Sequence, residues 1–143
     1  MATVYDLAEY ILRARGPMSA MKLQKLVYYS QAWSLVWDER PLFEEEIEAW
    51  ANGPVVRALY DCHRGKFSVC SGFFPGSPDA LTISEQSTVD MVLGFYGDKD
   101  PQWLSDLTHL EQPWRVAREG IPDGERGSRI IGKDALAEYY GSL

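Results

Sequence analysis

The sequence predicts a mainly helical, single compact domain spanning residues 1–143, built around a central long helix at about residues 19–37, with a small β ribbon that pairs residues 46–50 with residues 128–131. The stretch from Met21 to Trp37 contains no Gly or Pro, and its second half is apolar on nearly every side, which is typical of a helix surrounded by other elements. Capping residues, Gly and Pro divide the rest of the chain into short segments. With 143 residues, 45% of them hydrophobic, the chain can bury a core of its own.

The first two helices are marked by their caps. Thr3 can cap the first helix, with Asp6 as an acid three residues later, and Gly16 followed by Pro17 ends it. Ser19 is the expected N-cap of the central helix. The buried face of the first helix is predicted to consist of Val4, Leu7, Ala8, Ile11 and Leu12. Four aromatic residues of the central helix are predicted to lie in the core: Tyr28, Tyr29, Trp33 and Trp37.

The middle of the chain predicts a strand, a short helix and a loop. Residues 46–50 alternate between acidic and apolar side chains, which favours a strand; a helical turn is the alternative, because Glu and Ala also favour helix. Pro54 is expected at the first position of a third helix, with Val55, Val56, Leu59 and Tyr60 on its inner face. Residues 65–82 are rich in Gly, Ser and Pro and predict a long surface loop.

Five more elements are predicted in the rest of the chain. A fourth helix is expected to begin near Thr82 or Ser84, and a fifth begins with Asp100 as N-cap and Pro101 at the first helical position. Pro113 restarts a turn of helix. Residues 129–131 form a second short strand, and residues 134–140 a last helix. The core positions of the fourth helix are predicted to be Val89, Val92, Leu93 and Tyr96.

Composition limits the partners and the compartment. The chain has 14 Lys and Arg against 21 Asp and Glu, a net charge of −7, so it lacks the basic surplus that nucleic-acid binding requires. A basic protein partner suits this charge better. Two cysteines are too few for a disulfide framework, and the sequence shows neither a secretory signal nor an apolar run of about 18 residues. We therefore expect a reduced, cytoplasmic protein that does not enter a membrane.

No arrangement of residues points to catalysis. Cys62, His63, Cys70 and His109 lack the spacing of a zinc site. Neither a G-x-S-x-G elbow nor a glycine-rich phosphate loop occurs. The sequence predicts no catalytic residue, metal or cofactor; a triad assembled from distant parts of the chain is the alternative.

Acidic and aromatic side chains have two interpretations each. Glu44, Glu45, Glu46 and Glu48 form either a solvated face or an acidic rim that contacts a partner. Trp50, Trp103 and Trp114 flank predicted turns and either pack in the core or anchor an interface, where Trp combines a large contact area with a polar tip.

Four blocks of sequence occur in order along the chain. They are MKLQKLVYYSQAW at 21–33, PLFEEEIEAW at 41–50, NGPVV at 52–56 and LTHLEQPW at 107–114. Together these blocks resemble the Panacea (SocA-like, phage-associated) antitoxin domain family over nearly the whole chain. Gln112 departs from the family pattern, which has an acid before Pro-Trp.

The resemblance implies an antitoxin of a toxin–antitoxin pair that holds its cognate toxin inactive by direct protein binding. The alternative is a proteolytic adaptor or regulatory module that delivers a bound partner to a protease. The family motif positions, either structural or contacting, are Lys22, Leu23, Gln24, Lys25, Gly53, Pro54, His109, Glu111 and Pro113. The candidate contacts with the toxin are Glu44, Glu45 and Glu48 as acidic groups, and Trp50 and Trp114 as anchors.

Overall fold

Six helices and five short strands are arranged around a central helix in the computed structural model, which describes residues 1–143. In chain order the elements are α1 (Val4–Arg15), β1 (Met18–Ser19), α2 (Ala20–Trp37), β2 (Ile47–Trp50), β3 (Gly53–Val56), α3 (Arg57–His63), β4 (Ser68–Val69), a 3-10 turn (Pro78–Ala80), α4 (Ile83–Tyr96), α5 (Pro101–Leu110), α6 (Gln112–Ala117), β5 (Arg129–Ile131) and α7 (Lys133–Gly141). The predicted mainly helical class with a small β ribbon is confirmed.

Helix α2 lies at the centre, as predicted. The Ser19 hydroxyl caps it by accepting a hydrogen bond from the Lys22 amide at 3.1 Å. The helix packs against α1, α4, α5, α7 and β3, so its apolar residues are covered on several sides. The prediction was wrong for Trp37, which is 45% exposed. Trp37 lies in the last turn, beyond the packed part of the helix, and stacks on the half-buried Trp33.

The predicted N-cap residues are found at the starts of α1, α4 and α5. Thr3 and Asp6 form a reciprocal capping box on α1, and Thr82 and Glu85 form a second one on α4. Asp100 caps α5 by accepting a hydrogen bond from the Trp103 amide. The predicted inner faces of α1 and α4 are buried in one core with α2: Val4, Leu7, Ala8, Ile11, Leu12, Val89, Val92, Leu93 and Tyr96.

A three-stranded antiparallel sheet stands beside the helices, with strand order β3-β2-β5. Strand β2 confirms the strand interpretation of residues 46–50, and its pairing with β5 confirms the predicted ribbon. The helix predicted from Pro54 was wrong: residues 53–56 form β3, in which Pro54 pairs with Ala49, and α3 begins only at Arg57. An edge strand tolerates a Pro, and the β-branched Val55 and Val56 favour extended backbone.

Residues 65–82 are largely loop, but they are tied to the core. Strand β4 pairs with β1, which aligns Met18 with Val69. The buried carboxylate of Glu9 accepts hydrogen bonds from the Ser71 hydroxyl and from the Gly72 amide. These contacts fix the segment that follows α3, and with it one side of the site described next.

Candidate functional site in a basic cleft

A cleft of about 810 Å³ opens beside the N-terminal end of α2. Its walls are the first turn of α2, the β2–β3 turn, α3 with the following residues 64–67, and residues 126–128. Five of the chain's 14 basic side chains line it, whereas none of its 21 acidic side chains does. We call it the basic cleft. Its local charge is opposite in sign to the net charge of the chain. The basic lining residues are Lys25, Arg57, Arg64, Lys66 and Arg126.

Gln24 joins α2 to the sheet at the floor of the basic cleft. Its side-chain oxygen accepts a hydrogen bond from the Val56 amide at 2.8 Å, and its Nε2 donates to the Val56 carbonyl at 3.2 Å. The same Nε2 lies 3.0 Å from His63 Nε2, to which it donates. One buried amide therefore satisfies both backbone groups of a strand residue and sets the position of α3.

Lys25 brings a buried ammonium group to the basic cleft. The residue is 1% exposed, and its Nζ donates to the Pro54 carbonyl at 3.2 Å. No carboxylate lies within ion-pair distance of it. Burial lowers the pKa of Lys25 to about 8, because the charged form loses its hydration there.

Gly53 leaves the space that Lys25 occupies. Its φ of +127° is a conformation that side chains of L residues rarely adopt, and a Cβ at this position would lie 2.6 Å from Lys25 Cε. Gly53 and Pro54 thus act together, since one makes room for the lysine and the other supplies its acceptor. Leu23 is fully buried in the core, and Lys22 is half-buried at the first turn of α2.

Trp50 forms another part of the lining and is held by a chain of polar contacts. Its indole N–H donates to Glu48 at 2.8 Å, and Glu48 accepts two hydrogen bonds from Arg57, at 3.0 and 3.1 Å. The guanidinium lies over the Trp50 ring, and Tyr60 packs against that ring edge-on. Burial raises the pKa of the Glu48 carboxyl, but the Arg57 and Trp50 contacts outweigh this and leave the pKa below its ordinary value.

Trp114 lies behind Trp50 and supports it. Trp114 is 7% exposed, and its indole N–H donates to the Trp50 carbonyl at 2.8 Å. Pro113 is also buried. The ring of His109 stacks on Trp114 with centroids 4.0 Å apart, and burial lowers the pKa of His109. This placement corresponds to core packing for Trp114, the first of its two interpretations.

Glu111 belongs to a buried tyrosine cluster away from the basic cleft. It accepts hydrogen bonds from the hydroxyls of Tyr29 and Tyr140, each at 2.7 Å. Burial raises the pKa of Glu111, although these two hydrogen bonds partly offset the rise. The acid thereby joins α2, the α5–α6 junction and α7, whereas the neighbouring Gln112 is exposed.

Three of the four glutamates interpreted as a solvated face or an acidic rim reach toward three different helices. Glu44 is exposed and lies 3.7 Å from Lys133 at the start of α7. Glu45 accepts a hydrogen bond from the Val4 amide at the start of α1, at 3.2 Å. Glu48 is buried beneath Trp50 and pairs with Arg57 of α3.

Several lining residues had no signal in the sequence. Arg57, Arg64, Lys66 and Arg126 belong to no motif, and Arg126 is 60 or more residues from the others. Phe67, which is 84% exposed at the opening, also fits no periodic pattern. Arg57, Arg64 and Lys66 come from α3 and the residues that follow it, and residues 126–128 add Arg126 to the same cleft.

The stability of the fold should depend on pH through His63. Burial lowers the pKa of His63, so below about pH 6.5 the unfolded chain takes up a proton that the folded chain does not, and folding stability falls. We expect the melting temperature to drop between about pH 7.5 and pH 5.5, and to drop less in His63→Gln. Comparing the two proteins by thermal unfolding cancels the other titrating groups; parallel curves would contradict the assignment.

These features define a small helical domain with a preformed basic cleft. The family profile described as antitoxin SocA-like, Panacea domain, matches residues 23–115, so the chain belongs to this family. The matched region contains most of the α2 block and all of the three later blocks. Searches of curated proteins and of solved structures found no significant match. None of the seven helices combines the length and apolarity needed to cross a bilayer.

Proposed function

We propose that this chain is an antitoxin that neutralises its cognate toxin by binding it directly. The supporting observation is the family match over residues 23–115, which includes most of α2, the β2–β3 pair and the α5–α6 junction. An antitoxin that neutralises its toxin by covering part of the toxin's surface needs a stable complementary surface of its own and no catalytic activity. The proposal places the chain in the same compartment as its toxin, the cytoplasm.

The surface that we propose for the toxin has Trp50 as its aromatic anchor. A stable protein complex buries about 1,600 Å² in total and relies on a few aromatic or Arg anchors. Trp50 is half-buried and held rigidly by Glu48, Arg57 and Trp114, so it can bind with little loss of side-chain entropy. In this proposal Glu44 and Glu45 contact basic groups of the toxin, whereas Glu48 and Trp114 act by positioning Trp50.

Co-expression with the product of the adjacent gene tests the function. We expect that gene to arrest growth when expressed alone, and this chain to restore growth and to co-purify with intact toxin. If growth is restored only in the presence of a cellular protease and the toxin disappears, the adaptor alternative replaces direct neutralisation. Growth arrest that persists with no complex formed would contradict both.

Charge reversal of Glu44 and Glu45 should weaken toxin binding. Glu44→Lys with Glu45→Lys is expected to raise the Kd at least about tenfold at low salt, through loss of attraction to a basic toxin surface. The matched control is Asp123→Lys with Glu138→Lys, which makes the same charge change at exposed positions elsewhere. Glu48 is left intact because its reversal would disrupt the pairing with Arg57, and thermal unfolding of the double variant checks that loss of the Glu45 hydrogen bond to the Val4 amide leaves the fold unchanged. Equal affinities of the two double variants, measured by calorimetry, would remove this surface.

A further inference from the structure

Four cations of the basic cleft have no carboxylate partner. Arg57 is paired with Glu48, but Lys25, Arg64, Lys66 and Arg126 form no ion pair. All four line the same concave surface. In a chain of net charge −7, a cleft with this lining concentrates positive potential at one place, and low-dielectric walls strengthen such a field.

Lys25 differs from the other cations of the basic cleft because it is buried. An ammonium group has three N–H donors, and in this structure only the Pro54 carbonyl accepts from it. Burying a cation without a counter-ion is costly, and this burial lowers the pKa of Lys25. An anion in the basic cleft would supply the counter-charge that the buried ammonium group lacks.

Aromatic rings complete the lining. Trp50 and Tyr60 stand in the wall, and Phe67 lies at the opening, where the hydrogen bond from the Ala20 amide to the Phe67 carbonyl, at 2.8 Å, fixes its backbone. Planar rings of ligands stack on such side chains and on Arg. The volume of about 810 Å³ falls within the range of small-molecule pockets.

We propose that the basic cleft binds a mononucleotide that carries two or more phosphates. The phosphates contact the exposed Arg64, Lys66 and Arg126, the buried charge of Lys25 adds to the positive potential behind them, and the base stacks on the aromatic side chains. The four unpaired cations match the negative charge of a nucleoside di- or triphosphate. A nucleic-acid strand fits less well, because beyond the cleft the acidic side chains outnumber the basic ones. The nucleotide proposal does not rest on the proposed toxin binding, although Trp50 belongs to both surfaces.

Calorimetric titration of the purified full chain with ATP and with GTP, without added divalent cation, tests the proposal. We expect saturable binding of at least one of them, weaker binding of pyrophosphate and none of adenosine. Arg64→Gln with Arg126→Gln should weaken nucleotide binding at least about tenfold, because each lost charge-assisted hydrogen bond is worth more than a neutral one. Arg40→Gln with Arg115→Gln, which removes two exposed charges outside the cleft, should leave it within about twofold.

Two further variants separate the charged and aromatic contributions. Phe67→Ser alters an exposed side chain and should weaken nucleotide binding while leaving pyrophosphate binding unchanged. Lys25→Met removes a buried charge and should weaken the binding of both, with folding verified by circular dichroism. The proposal is overturned if neither nucleotide binds saturably, if the two double arginine variants lose affinity equally, if pyrophosphate binds as tightly as the nucleotides, or if a single-stranded oligonucleotide binds more tightly than either.

Discussion

Replacement of Gln24 by leucine is expected to lower the free energy of unfolding by about 4 kcal/mol. Leucine fits the apolar surroundings but leaves the amide and carbonyl of Val56 without partners in a buried position. It also removes the hydrogen bond to His63 that holds α3 against α2. The loss is a large fraction of the stability of a typical domain. Urea unfolding followed by circular dichroism measures it.

Gln102→Leu is the matched control for this prediction. Gln102 is exposed on α5, and its amide donates only to the neighbouring Asp106. We expect a change of less than about 0.5 kcal/mol there. If Gln24→Leu proved as mild as the control, the amide could not be the link between the family helix and the sheet.

Gly53→Ala is expected to cost about 3 kcal/mol, the second large effect. The new side chain would have to adopt the φ of +127°, and its Cβ would meet Lys25 Cε at 2.6 Å. Lys25 is buried and hydrogen-bonded to Pro54, so it cannot move aside without breaking that contact. The backbone strain at residue 53 and the displacement of the Lys25 ammonium group both lower the free energy of unfolding.

Gly124→Ala separates the two contributions. Gly124 also has a positive φ, of +83°, but a Cβ added there would meet no atom of another part of the chain within 4 Å. We expect this control to cost only about 1 kcal/mol, the backbone contribution alone. Equal losses in the two variants, measured by denaturant unfolding, would show that the contact with Lys25 is unimportant at residue 53.

The helices could be predicted from the sequence because their ends are encoded locally. Thr3 with Asp6, and Asp100 with Pro101, satisfy or remove the free amides of the first turn, and such signals need no knowledge of the fold. The same local signals gave a wrong helix prediction at Pro54, because a Pro after Gly also fits the start of a helix. What decides between the two outcomes is pairing with Ala49, a tertiary contact that the local sequence does not contain.

The candidate site could be predicted only in part. The motif residues Gln24, Lys25 and Gly53 could be recognised in the sequence. The contact between Lys25 and Gly53 could not, because it forms between two different elements and requires that residue 53 has no Cβ. The basic cleft was missed altogether. The net charge of −7 pointed to an acidic surface, and an average over the chain conceals five cations that the fold gathers on one side.

The tyrosine cluster around Glu111 extends beyond the family match. Tyr140 of α7 lies outside residues 23–115, yet its hydroxyl donates one of the two hydrogen bonds that the Glu111 carboxylate accepts. Helix α1, also outside the match, contributes a full face to the core. A recombinant fragment trimmed to the matched residues would therefore carry an uncovered apolar surface, and Glu111 would keep only the hydrogen bond from Tyr29. Affinity tags belong after Gly141, where the remaining residues are exposed, and deletions should stop short of Tyr140.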